Sequence, residues 1–211
     1  MPTLLISWQN FGLAIRLTIN RKTSLLRNIK ELIYAFVACI FTVASYAVVI
    51  LYTNEIPAAS EFYGHIIGIL GFLLMLSTET LYSLRKRSRS ARWGRMSDWL
   101  QAHIFTGIVG PFMVLLHTSW KFSGLAGVTT LLTVVIVVSG FIGRYIYTRI
   151  PRTADGIEDT GLIGQMQAGA LANARRLMSL WHTIHIPIGM ALFTAAFVHI
   201  LGALYYATLL K

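Results

Sequence analysis

The chain has 211 residues, of which 55% are hydrophobic and only 12% charged, with a mean hydropathy of +0.64 and a formal net charge of +10. A soluble domain normally carries roughly twice that charged fraction. The basic residues sit between long apolar runs, so membrane topology accounts for them, and no nucleic-acid partner is implied.

Residues 1–30 form an N-terminal segment. Its opening, MPTLLISWQNFGLAIRLTI, lacks the basic start of a cleavable signal peptide and is expected to be an interfacial helix lying on the membrane. Five apolar spans follow, at 31–53, 64–84, 98–119, 124–148 and 180–208. Each is long enough for a hydrocarbon core that takes about 20 helical residues to cross. Residues 31–211 therefore predict one all-α membrane domain, a five-span transmembrane helix bundle surrounded by lipid. The one sizeable loop, 149–180, contains QMQAGALANARRLMSLW, which predicts a short amphipathic helix on the membrane surface. Charge sets the direction. Arg16, Arg21, Lys22, Arg27 and Lys30 precede the first span, six basic residues lie from Arg85 to Arg95, and Arg144, Arg149, Arg152, Arg175 and Arg176 flank the long loop. The opposite side has Lys121 and Lys211. The positive-inside rule places the N-terminus in the cytoplasm and the C-terminus outside a bacterial-type inner membrane.

The third span holds HIFTGIVGPFMVLLH, from His103 to His117, and the fifth holds HIPIGMALFTAAFVH, from His185 to His199. In a helix, 14 residues turn through about 1400° and rise about 21 Å, so the two histidines of each span share a face. The third and fifth spans run parallel, because one span lies between them. His103 is thus level with His185, and His117 with His199. Imidazoles paired across a gap at two depths suit two six-coordinate haems, each iron taking one nitrogen from either side. Four buried imidazoles without partners would be costly in a bilayer. No C-x-x-C-H occurs for covalent attachment, and the lone Cys39 excludes an intramolecular disulfide, so the expected groups are two haem b. Gly107 and Gly189, each four residues after a ligand histidine, and Gly110 leave room for porphyrin edges and close helix approach. At the level of Gly110 the fifth span has Leu192. Met113 and Met190 are expected in the core. A zinc site is not expected at these histidines, whose spacing does not let them converge on one ion.

Haem propionates usually meet basic or aromatic side chains near the membrane surface. Candidates are Arg144, Arg95 and Arg149, with Trp93 and Tyr145 nearby, and on the outer side Trp120 and Lys121. Arg144 stands out because it lies within the fourth span, where a charge needs a partner. His182 and His65 are edge residues that could bond a propionate or a quinone. Glu79 could accept a quinol proton, but the simpler expectation is an ion pair with a basic residue of 85–92.

Histidines 14 apart on two parallel helices, one helix between, resemble the dihaem membrane cytochromes b. Two branches fit: the cytochrome b/b6 type of quinol-oxidising complexes, and the ferric reductase-like transmembrane domain shared with NADPH oxidases. Placement on the third and fifth spans, and RRLMSLWHTIH at 175–185, are more similar to the second branch. The resemblance covers about residues 64–208 and implies ligation by His103, His117, His185 and His199. Neither a sixth span, nor a flavin or nucleotide-binding domain, nor a P-E-W quinol-oxidation motif occurs in the sequence. The expectation is an electron-transfer subunit of a respiratory-type oxidoreductase complex, working with iron–sulfur, flavin or multihaem partners and with quinone as a further candidate. A quinone reductase or quinol oxidase, and a haem-free transporter or assembly subunit, are the alternatives.

Overall fold

A computed structural model describes residues 29–87, 94–150, 152, 158, 161 and 168–209, with side chains through 206. It contains five long helices: α1 Lys30–Thr53, α2 Phe62–Arg87, α3 Met96–His117, α4 Gly124–Tyr147 and α5 Ala168–Leu209. All five are long and apolar enough to cross a membrane, which is the architecture of an integral membrane protein. In lipid every backbone N–H and C=O must be satisfied internally, so apolar runs rich in Leu, Val and Ile fold as helices despite the modest helix preference of β-branched residues. Their outward faces remain apolar: Phe41, Leu51 and Phe62 are all more than 70% exposed, as side chains that contact lipid would be.

The spans end where the sequence expects, within about three residues, except one. The helix predicted on the surface before the fifth span is continuous with it, so α5 has 42 residues. Nothing between Ala170 and Ile186 breaks a helix: that stretch is rich in Ala, Leu, Met and Arg and has no Gly or Pro. A helix of that length runs roughly 60 Å, about twice a bilayer core. Its extra turns are anchored at the end of α4 by a buried cluster of Ile150, Leu171 and Ala174. The predicted interfacial segment before residue 29 lies outside the described residues.

At one end of the bundle lie the start of α1, the end of α2, the start of α3, the end of α4 and the entry of α5. Here it is called the basic end. At the opposite end, Asn54 closes α1 in a left-handed conformation, and Ser119 and Trp120, also at positive φ, make the tight turn from α3 to α4. The Ser119 hydroxyl donates to the Pro57 carbonyl at 2.6 Å and joins those two turns.

The closest seam is between α2 and α3. At its centre, a Cβ on Gly71 would stand 2.9 Å from the Gly110 carbonyl oxygen, and one on Gly110 the same distance from that of Gly71. Only glycine at both positions allows this approach, the usual device for tight packing between membrane helices. The second seam joins α4 to α5, where Trp181 lies on Gly143. Helix α1 leans on α3 and is tied to α4 by a buried ion pair between Glu31 and Arg144. Helices α3 and α5 share no comparable seam.

Candidate functional site

The four predicted histidines lie on α3 and α5. His185 is within electrostatic range of His103, and His117 within range of His199. All four are partly buried, inside spans.

Three of the four rings are held through Nδ1. His103 Nδ1 donates to the Thr78 carbonyl at 3.0 Å, and His117 Nδ1 to the Gly64 carbonyl at 2.8 Å. A carbonyl only accepts, so in both rings Nδ1 carries a proton, and in the neutral ring Nε2 then keeps its lone pair. His185 Nδ1 lies 3.0 Å from the Ser139 hydroxyl. This is the arrangement that orients metal-ligating histidines: one nitrogen tied to the protein, the other left to coordinate. His199 has no such tether among the described residues.

The supporting groups lie on a common register. Along α2, Gly64, Gly71 and Thr78 are spaced by seven; opposite them on α3, His117, Gly110 and His103 are spaced by seven. The glycine crossing therefore sits midway between the two tethered histidines. The signal was present as small residues at heptad spacing in α2, next to the histidine span. Gly68 adds to it: a Cβ there would stand 2.6 Å from His117 Nδ1 and 2.8 Å from Cγ, so the imidazole lies directly on this glycine.

On the α4–α5 side, Trp181 stacks on His185 with ring centroids 4.4 Å apart and 28° between planes. Its indole N–H donates to the Ser139 carbonyl at 2.7 Å. Ser139 thus fixes both His185 and the ring stacked on it, and Gly143, one turn on, makes the space for that ring. Tyr82 packs on His103 at 4.8 Å. Between the two levels the space is apolar: Leu192 is 1% exposed, and Phe72 of α2 meets Phe197 and Phe193 of α5 at 5.5 and 6.4 Å.

Several other predicted site residues are placed elsewhere. Gly110 faces Gly71 and Met75 of α2, and Gly107 faces Thr78 at 3.4 Å, so both serve the α2–α3 seam and do not open the space towards α5. Gly189 does face inward: the nearest atoms to a Cβ there would be Glu79 Oε1 and Ile136 Cδ1, both at 3.9 Å. Arg144, expected at a propionate, is bound to Glu31, whose side chain is 5% exposed. Charge within the span was the right signal; the partner is a carboxylate on α1. Arg95 pairs with Asp98 at 3.4 Å on the surface, and Arg149 lies over the Tyr145 ring at 4.6 Å. Trp120 and Lys121 are exposed on the tight turn, Trp120 packing on Phe122. Met113 packs against Gly71, but Met190 is 65% exposed on the lipid face and not in the core. His65 is exposed and bonded to the Glu61 carbonyl, and His182 to that of Met178. Glu79 forms no ion pair among the described residues; its carboxyl points across to Gly189 instead. Trp93 lies outside the described residues.

Among the described residues, no three His, Cys, Asp or Glu side chains converge to hold a metal ion. Comparison with protein-family models, with curated proteins and with solved structures finds no match for this chain.

Proposed function

We propose that the protein is a dihaem b-type cytochrome subunit that carries electrons across the membrane between partner redox proteins, or between a partner and the quinone pool, with its basic end in the cytoplasm. One observation supports this above the others. Two histidine pairs, about 21 Å apart by helix rise, bring α3 and α5 within electrostatic range of each other at two levels, and these helices have no close seam between them.

The residues present fit such a group. A haem iron would be held by the neutral imidazoles, and the carbonyl tethers at Thr78 and Gly64 occupy Nδ1 and so leave Nε2 as the nitrogen that could hold it. A flat ring needs helices that do not close on one another and a wall without side chains, and Gly189 supplies such a wall on α5. Bound there, haem supplies reversible one-electron chemistry. The chain's part is to orient four imidazoles, exclude water and set potential through hydrogen bonding and burial. The apolar layer at Leu192, Phe72, Phe193 and Phe197 separates the two levels and keeps water out between them.

The test is a pyridine haemochrome and a reduced-minus-oxidised spectrum of the purified chain, expressed in haem-replete cells. Two haem b per chain are expected, with His117→Ala reducing the number to one. A folded, colourless preparation would overturn the proposal.

A second reading, exchange with quinone beside the His103–His185 pair, draws on Glu79. Its carboxyl lies inside a span, in electrostatic range of His103 and open towards Gly189. Reduction of the haem-loaded chain by a quinol analogue, lost in Glu79→Gln, would support it.

A further inference from the structure

Trp181 stands four residues before His185 on α5, so the two side chains are neighbours on one helix face. Side chains of a helix lean towards its N-terminus, which brings the His185 ring back over residue 181. The two rings are stacked, with centroids 4.4 Å apart and 28° between planes. Tyr82 meets His103 less squarely, at 4.8 Å and 45°. Among the described residues neither His117 nor His199 has an aromatic ring against it, so the stack belongs to one end of the molecule and to one imidazole above the rest.

Three features hold the half-buried indole in place. Its N–H donates to the Ser139 carbonyl at 2.7 Å. Gly143, one turn further along α4, leaves the ring its room: a Cβ there would overlap the indole atoms Cε2 and Cζ2. The His182 ring meets the indole edge-on at 4.9 Å, and is itself tied through Nδ1 to the Met178 carbonyl at 3.0 Å. A residue that only filled the seam between α4 and α5 would need volume. It would need neither a donor aimed at one carbonyl nor a glycine facing the ring. The N–H bond selects one orientation of the indole, and the indole presents one face to His185. On its other flank His185 Nδ1 lies 3.0 Å from the Ser139 hydroxyl, so one residue of α4 holds both rings of the stack.

We infer that Trp181 is a positioning residue: by stacking on His185 it fixes the plane of that imidazole and so tunes one of the two haem centres. The inference rests on the dihaem proposal and deepens it. An imidazole bound to a haem iron can turn about its bond to the metal, and the angle between two axial imidazoles sets how the d levels of the iron split. Contacts that orient a ligand ring are therefore a lever on the potential of the centre, alongside burial and hydrogen bonding. Trp181 acts through His185 and touches no reacting atom. Its effect should be confined to the basic end, because no ring of this kind reaches His117 or His199 among the described residues.

The full chain, haem-loaded in cells and purified, is followed by electron paramagnetic resonance through a redox titration, as wild type, Trp181→Phe and Trp181→Leu. Two low-spin ferric signals are expected from the wild type. Trp181→Leu keeps an apolar side chain but no ring. It should displace the g values of one signal and shift the potential of that centre, with the other signal in place. Trp181→Phe can stack but has no N–H for Ser139, and should broaden the same signal about its wild-type position. The signal that moves should be the one that Ser139→Ala also moves, and movement of the other one overturns the inference. Both signals unmoved in Trp181→Leu overturn it too, as does an equal shift of both, the mark of a residue that only holds α4 against α5. So does a phenylalanine variant displaced as far as the leucine one, since a ring would then make no difference. Should Trp181→Leu fail to fold, Trp181→Phe decides alone: one signal broadened supports the inference, and both unaltered overturn it. A folded chain without any haem overturns the dihaem proposal and this inference together, whereas two haems indifferent to Trp181 overturn this inference alone.

Discussion

The two ends of the bundle hold their histidines by different means. At the basic end both imidazoles of the pair are tethered, His103 to a backbone carbonyl and His185 to the Ser139 hydroxyl, and both carry an aromatic ring, Tyr82 and Trp181. The three ion pairs among the described residues are also at this end. At the opposite end His117 is tethered and lies on Gly68, while His199 has no tether among the described residues. One end is built from charge, hydroxyl and stacking; the other is built from glycine and backbone. A backbone carbonyl survives any side-chain substitution, so the His103 and His117 tethers change only by adding atoms, whereas the His185 tether and the two stacked rings at the basic end can be removed by deleting side chains.

The largest effect is expected at the buried ion pair. Removing one partner of such a pair leaves the other as an uncompensated buried charge, at a cost of about 3–5 kcal/mol. Glu31→Gln should therefore lower the detergent-solubilised melting temperature sharply, with α1 the first helix to become protease-sensitive. An unchanged melting temperature would mean that Arg144 finds another partner without loss, and the contrast between the ends would weaken.

Next comes the glycine crossing, which lies between the ends and serves both. Gly110→Leu forces a side chain into a space where even a Cβ stands 2.9 Å from Gly71 oxygen. Overpacking of this kind costs about 1–3 kcal/mol and displaces helices. If the dihaem proposal holds, both haems should be held less firmly, since the His103 and His117 tethers depend on the α2–α3 register. Gly140→Ala on α4, where a Cβ meets nothing within 4 Å, is the matched control and should be neutral or slightly stabilising.

The sequence made the spans and the histidine pairs legible for a plain physical reason. Apolar runs of this length have one outcome in lipid, and a spacing of 14 puts two side chains on one face whatever surrounds them. What it concealed were partnerships between distant segments. Arg144 announced that it needed a partner, but nothing local pointed to Glu31, 113 residues away. Ser139 and Gly143 look like ordinary small residues of a packed span until Trp181 is set against them. Gly110 was visible as a small residue, but not the direction it faces, because periodicity fixes which residues share a face and not which neighbour that face meets. The continuity of α5 was hidden by its change from polar to apolar composition, which resembles a helix boundary but lacks a breaker.

Two substitutions of intermediate size test the comparison itself. Ser139→Ala removes a side-chain tether worth about 0.5–1.5 kcal/mol, and the loss of such a partner typically weakens metal binding about 10–100-fold. Under the dihaem proposal, haem retention at one site should fall and its potential should shift, with the other site unchanged. Gly68→Ala should do the reverse, pushing on the His117 ring and loosening the other site alone. If either variant disturbed both sites equally, the two ends would be one mechanical unit and the distinction drawn here would fail.

The smallest expected effect concerns the loop beside the basic end. Glu158 is half-buried, and its hydrogen bond and ion pair with Arg175 hold its carboxyl below the ordinary value of 4.5. A carboxyl whose value is depressed in the folded protein adds stability that is fully present above the ordinary value and is lost as pH falls through the depressed one. Between pH 7 and 5 the Glu158–Arg175 link should therefore be constant, and it should loosen only below about pH 4, the region of an ordinary glutamate. Limited acid proteolysis or hydrogen exchange at the entry of α5 reads this directly, and Glu158→Gln should flatten the dependence. Loosening already at pH 6 in Glu158→Gln as well as in wild type would assign the effect to a group outside the Glu158–Arg175 link.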